Sequence, residues 1–407
     1  MDYNQIYFTE YDEKIVGESK RDPLGLQPIW SFFGSRVIKN ITTVSNDIRG
    51  FREVLLCLSI CGEYQQIHGG LLKEYILLFE QLFIYSMIEV RDSEGIIGGE
   101  NGARRYSKSN NPYISGNSND EVGTILASEI SLGYYGRYKT PLMNMGIIDQ
   151  SSHIKPLSVD VRSLYGDYYT EVSQSFSRFV RRQNRRWNHF DSSGREALRK
   201  AVCGTFREHE ETFWLKKLKN YDERGRKKDE LMEECYRLLP SKLSESNYSS
   251  WLEFYRNLYE TTKDSKVLDV INIELYVACV EKVFYDMLNS RTTQDVSIDD
   301  IHYFKSCYDN AKGITMISSP DMNLRFQELL KQCNPYEDIV LGVYQYHKYV
   351  SKQKKSSMWL EIGEANDIHT FTPDKLDDNS NMKKRNYYAS PLQSIKEGFV
   401  EAKNGRY

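Results

Sequence analysis

Five arginines lie within nine residues of this sequence, closer together than any other set of residues with recognisable chemistry. In the segment SFSRFVRRQNRRWNHF they are Arg178, Arg181, Arg182, Arg185 and Arg186. On an α-helix, a spacing of i, i+3, i+4, i+7 and i+8 places all five along one stripe. Like charges on one helix face repel each other, and the planar guanidinium group binds phosphate in a bidentate manner. The stripe therefore predicts an anionic partner, with DNA or RNA as the first choice.

The positive charge extends beyond these arginines. Residues 178–228 contain sixteen Arg and Lys against seven Asp and Glu, a local balance of +9, whereas the whole chain has a net charge of −3. Such an asymmetry is typical of proteins that bind nucleic acid or another acidic partner. The alternative interpretation is a solvated face, or a network of ion pairs with the acidic remainder of the chain.

A second candidate for nucleic-acid contact is a helix-turn-helix over residues 123–148. Ile125, Leu126 and Ile130 would be the apolar positions of its first helix, and residues 133–136 would form the turn. Pro141 is compatible only with the first turn of a helix, so the second helix is expected to begin at about residue 138 or 139.

The end of the second helix has its own signal. Gly146 is expected to end it, and the two isoleucines that follow are expected to lead into a strand, as in winged-helix proteins. Arg137, Lys139 and Thr140 would then lie at the start of the recognition helix, where side chains reach bases or phosphates.

Catalytic motifs are weak by comparison. Arg182 and His189 fit the loose Arg-x(4–6)-His pattern of some helical ribonucleases, in which the histidine acts as an acid or base. The segment REHEE at residues 207–211 is expected to be a solvated helix face. Cys57 and Cys61, with His68 beyond them, could ligate zinc only if a fourth ligand came from elsewhere in the chain, so they are expected to be small buried residues of one helix. We therefore assign no catalytic residue, no metal and no cofactor.

The fold class follows from composition and periodicity. Hydrophobic residues make up 40% of the 407 and charged residues 27%, values typical of a globular protein, while only ten prolines interrupt the chain. Apolar residues recur at helical spacing over residues 71–89, and MWLEIGEANDIHTFTP alternates around a turn, which predicts a β-hairpin. The sequence thus predicts a mainly α protein of several helical domains, with a candidate winged helix-turn-helix and a small C-terminal β-hairpin.

Composition shifts suggest four segments along the chain. We expect an N-terminal helical domain over residues 1–93, a polar loop with the candidate winged helix over 94–158, a helical domain over 159–353, and a hairpin with a tail over 354–407. Residues 92–120, which include Arg104, Arg105 and Lys108, are rich in Gly, Asn and Ser, which indicates a linker or a mobile loop.

Several features indicate a protein of the cytoplasm. The start MDYNQIYFTEYDEK is polar and acidic, unlike a signal peptide, and no apolar run reaches the ~18 residues of a membrane span. The seven cysteines are scattered without paired spacing, so neither a disulfide framework nor an oxidising compartment is expected.

Four segments carry a resemblance to a protein family. They are RDPLGLQPIWSFFGSRVIKNITTVSNDIRGF, LASEISLGYYGRYKTPLMNMGII, MWLEIG and NYYASPLQSIKEGF. Together they resemble uncharacterised bacterial proteins encoded in multi-gene anti-phage defence loci. The resemblance covers about a quarter of the chain and brings no catalytic residues with it. It implies a non-enzymatic or accessory subunit that acts beside other protein subunits, such as an ATPase or a nuclease.

Three functions remain open from the sequence. The first is a nucleic-acid-binding accessory subunit of a bacterial defence complex. The second is a helical scaffold that recruits protein partners through a surface rich in its 30 tyrosines. The third is a helical ribonuclease that uses Arg182 and His189.

Overall fold

The computed structural model describes residues 22–371 and 388–403, with gaps at 121, 127–128, 156–159, 223–225, 240–250, 299 and 315–316. The expected polar segments at the start of the chain and around residue 384 lie outside these residues. In the part that is described, the protein is mainly α-helical with one two-stranded antiparallel sheet, which confirms the predicted fold class at this level. None of the described helices is both long and apolar enough to cross a membrane.

The elements follow one another along the chain in this order: α1 (Gln27–Val37), α2 (Ile48–His68), α3 (Leu72–Glu89), α4 (Gly99–Lys108), α5 (Glu129–Leu132), α6 (Tyr134–Asn144), α7 (Val161–Tyr165), α8 (Asp167–Val180), α9 (Ser192–Cys203), α10 (Glu210–Leu218), α11 (Glu230–Leu238), α12 (Trp251–Thr262), α13 (Ser265–Asn289), α14 (Ile301–Lys312), α15 (Pro320–Gln332), α16 (Ile339–Lys354), β1 (Leu360–Ile362), β2 (Ile368–Thr370) and α17 (Ala389–Lys403).

These elements form two compact units, each built from two separate parts of the chain. Unit 1 comprises Met1–Val37 and Asn247–Tyr388, and unit 2 comprises Ile38–Ser246 and Ala389–Tyr407. The four consecutive segments expected from composition do not coincide with this division. Helix α1 packs against α13 and α15, and α17 packs against α2 and α11. Both pairings join helices far apart in sequence, which local composition does not reveal.

Unit 1 is organised around α13. This 25-residue helix packs against α1, α12, α14 and α16, and its apolar side chains are buried along its whole length. Asp264 caps its start by accepting a hydrogen bond from the backbone N–H of Lys266. The predicted β-hairpin is confirmed here as β1 and β2, in which Leu360 and Ile368 are the buried residues.

Unit 2 is organised around α2 and α3, which pack together and are covered by α6, α8 and α9. The helix predicted over residues 71–89 is confirmed as α3. Asp47 caps α2 through the backbone N–H of Arg49. The polar stretch at residues 92–120 does not form the structureless loop that was expected, because α4 lies within it. Two glycines of this stretch, Gly99 and Gly102, are buried in α4, and α4 packs on α3.

Candidate nucleic-acid interface

The predicted arginine stripe is not a helical stripe. Helix α8 ends at Val180, so only Arg178 of the five arginines lies within it. Residues 181–186, which we call the arginine loop, form a turn followed by an irregular segment. The helix ends because the next backbone segment pairs with a distant part of the chain: Ile114 N–H donates to Arg185 O at 3.0 Å, and Trp187 N–H donates to Pro112 O at 3.0 Å. Because the helix ends at Val180, the arginines that follow do not lie on successive turns of one helix, where their like charges would repel each other.

Arg178 holds the base of the arginine loop. Its Nη2 donates to Asp191 Oδ2 at 2.8 Å and to Ser175 Oγ at 3.0 Å. Asp191 also caps α9 by accepting from the backbone N–H of Gly194 at 2.9 Å. Burial by itself would raise the pKa of Asp191, but these hydrogen bonds and the charge of Arg178 outweigh the effect of burial, so the pKa is lowered. Arg178 therefore links the end of α8 to the start of α9.

Trp187 anchors the other end of the arginine loop. Its ring is buried beside Tyr85, with ring centroids 5.8 Å apart, and the guanidinium carbon of Arg195 lies 4.4 Å from its ring centroid. Arg195 is itself fixed, because it donates to Glu89 at 2.6 Å and to Phe190 O at 2.7 Å. The loop is thus fixed at both ends by buried or hydrogen-bonded groups.

The remaining four arginines form no ion pair with a carboxylate in the part of the chain that the structure describes. Arg181 and Arg182 are exposed, and their side chains make no hydrogen bond or ion pair with described residues. Arg185 donates to Val180 O at 3.2 Å, and Arg186 donates to Asn111 O at 3.2 Å, so both use only neutral carbonyl groups. The ion-pair network that was the alternative interpretation includes Arg178 but not these four.

His189 lies close to this loop, at the end of the short 3-10 turn Trp187–His189. Its Nδ1 accepts a hydrogen bond from the backbone N–H of Arg186 at 3.4 Å. No hydrogen bond or ion pair between described residues joins His189 to Arg182. The ribonuclease interpretation therefore gains no support from the contacts of these two side chains.

The boundaries of the candidate helix-turn-helix differ from the prediction. The second helix, α6, begins at Tyr134, so the expected turn at residues 133–136 is wrong, and Pro141 lies inside the helix instead of in its first turn. Helix α5 has only four described helical residues. Tyr138 holds α6 against α2: its ring centroid lies 4.8 Å from that of Phe51, and its hydroxyl accepts from the backbone N–H of Asp47 at 3.2 Å.

The C-terminal end of α6 was predicted correctly. Gly146 has φ +71°, its N–H donates to Met143 O, and Ile147 N–H donates to Leu142 O, each at 2.9 Å. This is a Schellman motif, in which glycine tolerates the left-handed conformation. Ile148 then forms a single antiparallel bridge pair with Ile154, and the strand expected after the helix is limited to this one pair.

The predicted recognition residues lie in the middle of α6 instead of at its start. Arg137, Lys139 and Thr140 are all half-buried. Arg137 Nε donates to Leu132 O at 3.0 Å, and Lys139 Nζ lies 5.5 Å from the ring centroid of Tyr135. Among the described residues, no hydrogen bond or ion pair connects these three side chains to the arginine loop.

A buried ion pair in unit 2 was missed by the sequence analysis. The segment REHEE was expected to be a solvated face, yet Glu210 and Arg52 are each only 1% exposed. Arg52 Nε donates to Glu210 Oε1 at 2.8 Å, and Nη2 donates to Oε2 at 3.1 Å. Burial raises the pKa of Glu210, and the charge of Arg52 opposes that shift. A pattern of charged residues does not reveal a bidentate partner 158 positions away.

Glu53 is a second buried acid that no sequence signal indicated. Its carboxyl group is fully buried and accepts no hydrogen bond from any described residue. Burial raises its pKa to about 8. The nearby Cys57 and Cys61 are buried, as predicted, with their sulfurs 3.9 Å apart, and burial also raises the pKa of both thiols.

Metal and disulfide chemistry find no support in these groups. Within the described ranges, no cluster of three or more His, Cys, Asp or Glu side chains has a geometry that could hold a metal ion. All seven cysteines belong to those ranges, and none forms a disulfide. No protein-family model, no curated protein and no solved structure matches the chain.

Proposed function

We propose that this protein is a cytoplasmic, non-enzymatic, nucleic-acid-binding accessory subunit of a bacterial anti-phage defence complex. The observation that carries the nucleic-acid part is the arginine loop. Its four guanidinium groups, those of Arg181, Arg182, Arg185 and Arg186, form no ion pair with a carboxylate among the described residues. The part concerning a defence complex rests on the resemblance of the four sequence segments, with an ATPase or a nuclease as the expected protein partner.

Phosphate is the anion that suits this loop best. Arginine binds phosphate oxygens through two parallel hydrogen bonds, and contacts to phosphate account for most non-specific affinity for nucleic acid. The two anchors, Arg178 with Asp191 and Trp187 with Arg195, hold the backbone of the loop in place before a ligand arrives. Pre-organisation of this kind reduces the conformational entropy that binding would otherwise cost.

The candidate winged helix is the finer part of the proposal. Helix α6 ends in a Schellman motif followed by the short bridge between Ile148 and Ile154, which supports a helix leading into a wing-like hairpin. Arg137, Lys139 and Thr140 would supply additional DNA contacts or contacts to another subunit. The half-buried position of these side chains makes the arginine loop the main contact.

The test is fluorescence anisotropy of the protein with labelled duplex DNA, single-stranded DNA and RNA over a series of salt concentrations. The test variant changes Arg181, Arg182, Arg185 and Arg186 to alanine. The control variant removes four exposed positive charges of unit 1, and these are Arg325, Lys331, Lys348 and Lys352. Both variants change the net charge equally, so a difference between them reports the position of the charges.

We expect the wild type and the control to bind with affinity that falls steeply with salt. The test variant should bind weakly, with a salt slope on duplex reduced by about 0.9 for each phosphate that the arginines no longer neutralise. Equal reductions of affinity in the two variants would show that only total charge matters and would contradict the role of the arginine loop. Absence of binding by folded wild type, even at low salt, would overturn the nucleic-acid function itself.

A further inference from the structure

The arginine loop has an exposed neighbour in unit 2, the corner between α2 and α3 at residues 67–75. The segment at residues 112–116 connects the two: Ile114 bonds to Arg185, and Gly116 lies so close to Glu74 that a Cβ built on it would be 2.9 Å from Glu74 O. Burial raises the pKa of Tyr75, the charge of Glu74 adds to that shift, and the positive charge of Arg185 opposes it, so both charges lie near this hydroxyl. The α2–α3 corner and the arginine loop thus belong to one surface.

This corner exposes two apolar side chains and an imidazole ring. Ile67 is 74% exposed and Leu71 is 52% exposed. His68, between them, is also exposed, and its ring centroid lies 4.4 Å from that of Tyr64. Exposed aliphatic residues are ordinary when scattered singly, but here two of them flank an exposed ring beside a set of arginines that form no ion pair with described residues.

The corner is nonetheless well ordered by its own hydrogen bonds. Tyr75 donates its hydroxyl hydrogen to Gly69 O at 2.8 Å, and Gln65 Nε2 donates to Gly70 O at 3.1 Å. Gly69 and Gly70 have φ values of +74° and +88°, so the turn depends on two consecutive glycines. The exposed side chains are therefore presented on a fixed turn.

The chemistry of this surface favours one form of nucleic acid. A duplex presents phosphates and sugars outward and keeps its base faces stacked inside, so it offers nothing to an exposed ring with aliphatic neighbours. A single strand offers phosphates together with unstacked base faces, and proteins bind it by combining positive charge with side chains that pack on the bases.

We propose that the arginine loop and the α2–α3 corner form one binding surface for single-stranded nucleic acid. The phosphates contact Arg181 and Arg182, and an unstacked base packs on His68 with Ile67 and Leu71 at its sides. The inference rests on the proposed function and specifies its substrate class.

The experiment compares a labelled single strand of ~20 nucleotides with the duplex of the same sequence, each made both as DNA and as RNA. The test variant combines Ile67→Ser, His68→Ala and Leu71→Ser, none of which removes a buried side chain. The control variant combines Leu324→Ser and Leu341→Ser, two exposed residues of unit 1. Circular dichroism confirms that both variants fold like the wild type.

Wild type should prefer the single strand. The corner variant should bind the single strand about tenfold more weakly, the order expected for one base contact, while duplex affinity and the salt slope stay unchanged because the arginines are intact. Equal affinity of wild type for single strand and duplex, or a corner variant that binds the single strand like the control, would overturn this inference and leave the proposed function standing.

Two further outcomes separate this inference from the proposed function. If wild type binds neither form, the proposed function fails together with the inference. Vesicles containing phosphatidylserine are included as a third probe. Binding to the vesicles but not to oligonucleotides, abolished in the corner variant, would identify a membrane-surface contact and refute both.

Discussion

Replacing Glu53 with glutamine removes a proton-binding group from the core of unit 2 and should change how stability depends on pH. The carboxyl group has a pKa of about 8 in the folded protein against an ordinary value of 4.5. Between these two pH values the unfolded chain gives up the proton while the folded protein keeps it. The contribution of Glu53 to stability is therefore fully present below about pH 4.5 and is lost as the pH rises towards 8.

The size of the effect follows from the linkage between proton binding and folding. One proton bound only by the folded state changes the free energy of unfolding by about 1.4 kcal/mol per pH unit. Over the interval from the ordinary pKa to the raised one, the decrease amounts to about 5 kcal/mol, and more than half of it has occurred by pH 7. A decrease of this size is a large fraction of the stability of a typical domain.

The groups around Glu53 include a further acid and two phenols. Glu80 lies near the same cysteines and accepts a hydrogen bond from the backbone N–H of Tyr135 in the first turn of α6. Tyr134 and Tyr165 are buried nearby, and burial raises the pKa of both phenols.

The assay is urea unfolding followed by circular dichroism at pH 5.5, 6.5, 7.5 and 8.5 for wild type, Glu53→Gln and the control Glu94→Gln, which alters an exposed acid. From pH 5.5 to 7.5, the stability of wild type should fall by about 1.4 kcal/mol per pH unit more than that of Glu53→Gln, and above pH 8.5 the two should run in parallel. The control should follow wild type throughout. Parallel curves for wild type and Glu53→Gln from pH 5.5 to 7.5 would refute the assignment of a protonated, buried Glu53.

Three other predictions follow from particular contacts. Arg52→Met should destabilise unit 2 by about 3–5 kcal/mol, because it leaves the Glu210 carboxylate buried without its cation. Adding Glu210→Leu to this variant should recover most of the lost stability, and urea unfolding of both variants checks this. Gly146→Ala should lower the free energy of unfolding by about 1 kcal/mol, because alanine is strained in the left-handed backbone conformation of this position. No atom outside the adjacent residues lies within 4 Å of the new Cβ, so no steric clash adds to this cost, and a lowered thermal midpoint would report it. Purified protein should leave single-stranded RNA uncut, and His189→Ala should behave identically; cleavage by wild type that disappears in the variant would instead support the ribonuclease interpretation.

Local patterns in the sequence predicted much of the secondary structure, because the signals involved act over a few residues. The periodic apolar residues of 71–89 predicted α3, and the alternation around residues 363–367 predicted the hairpin of β1 and β2. Gly146 ends α6 as expected, since a left-handed residue at that position satisfies the last carbonyl groups of a helix. Cys57 and Cys61 are buried as their positions on an apolar helix indicated.

The arginine loop shows where local signals were insufficient. Helical spacing and composition favoured a continuous helix through residue 186, and neither contains information about residues 112–114. Pairing with that distant segment satisfies the backbone of residues 185 and 187, and it replaces a helical stripe with a loop. The start of α6 is a second example. Pro141 suggested that the helix begins at residue 138 or 139, but it begins at Tyr134, and Tyr138 is buried against the distant Phe51.

The sequence by itself determined the mainly helical class, the hairpin, the end of α6 and the unusual concentration of arginine. Only the tertiary structure decided which arginines form ion pairs, which acids are buried, and how the chain divides into two units. The physical reason is that ion pairing, burial and backbone pairing depend on groups such as Arg52 and Glu210 that are far apart along the chain. Their proximity exists only once the chain has folded.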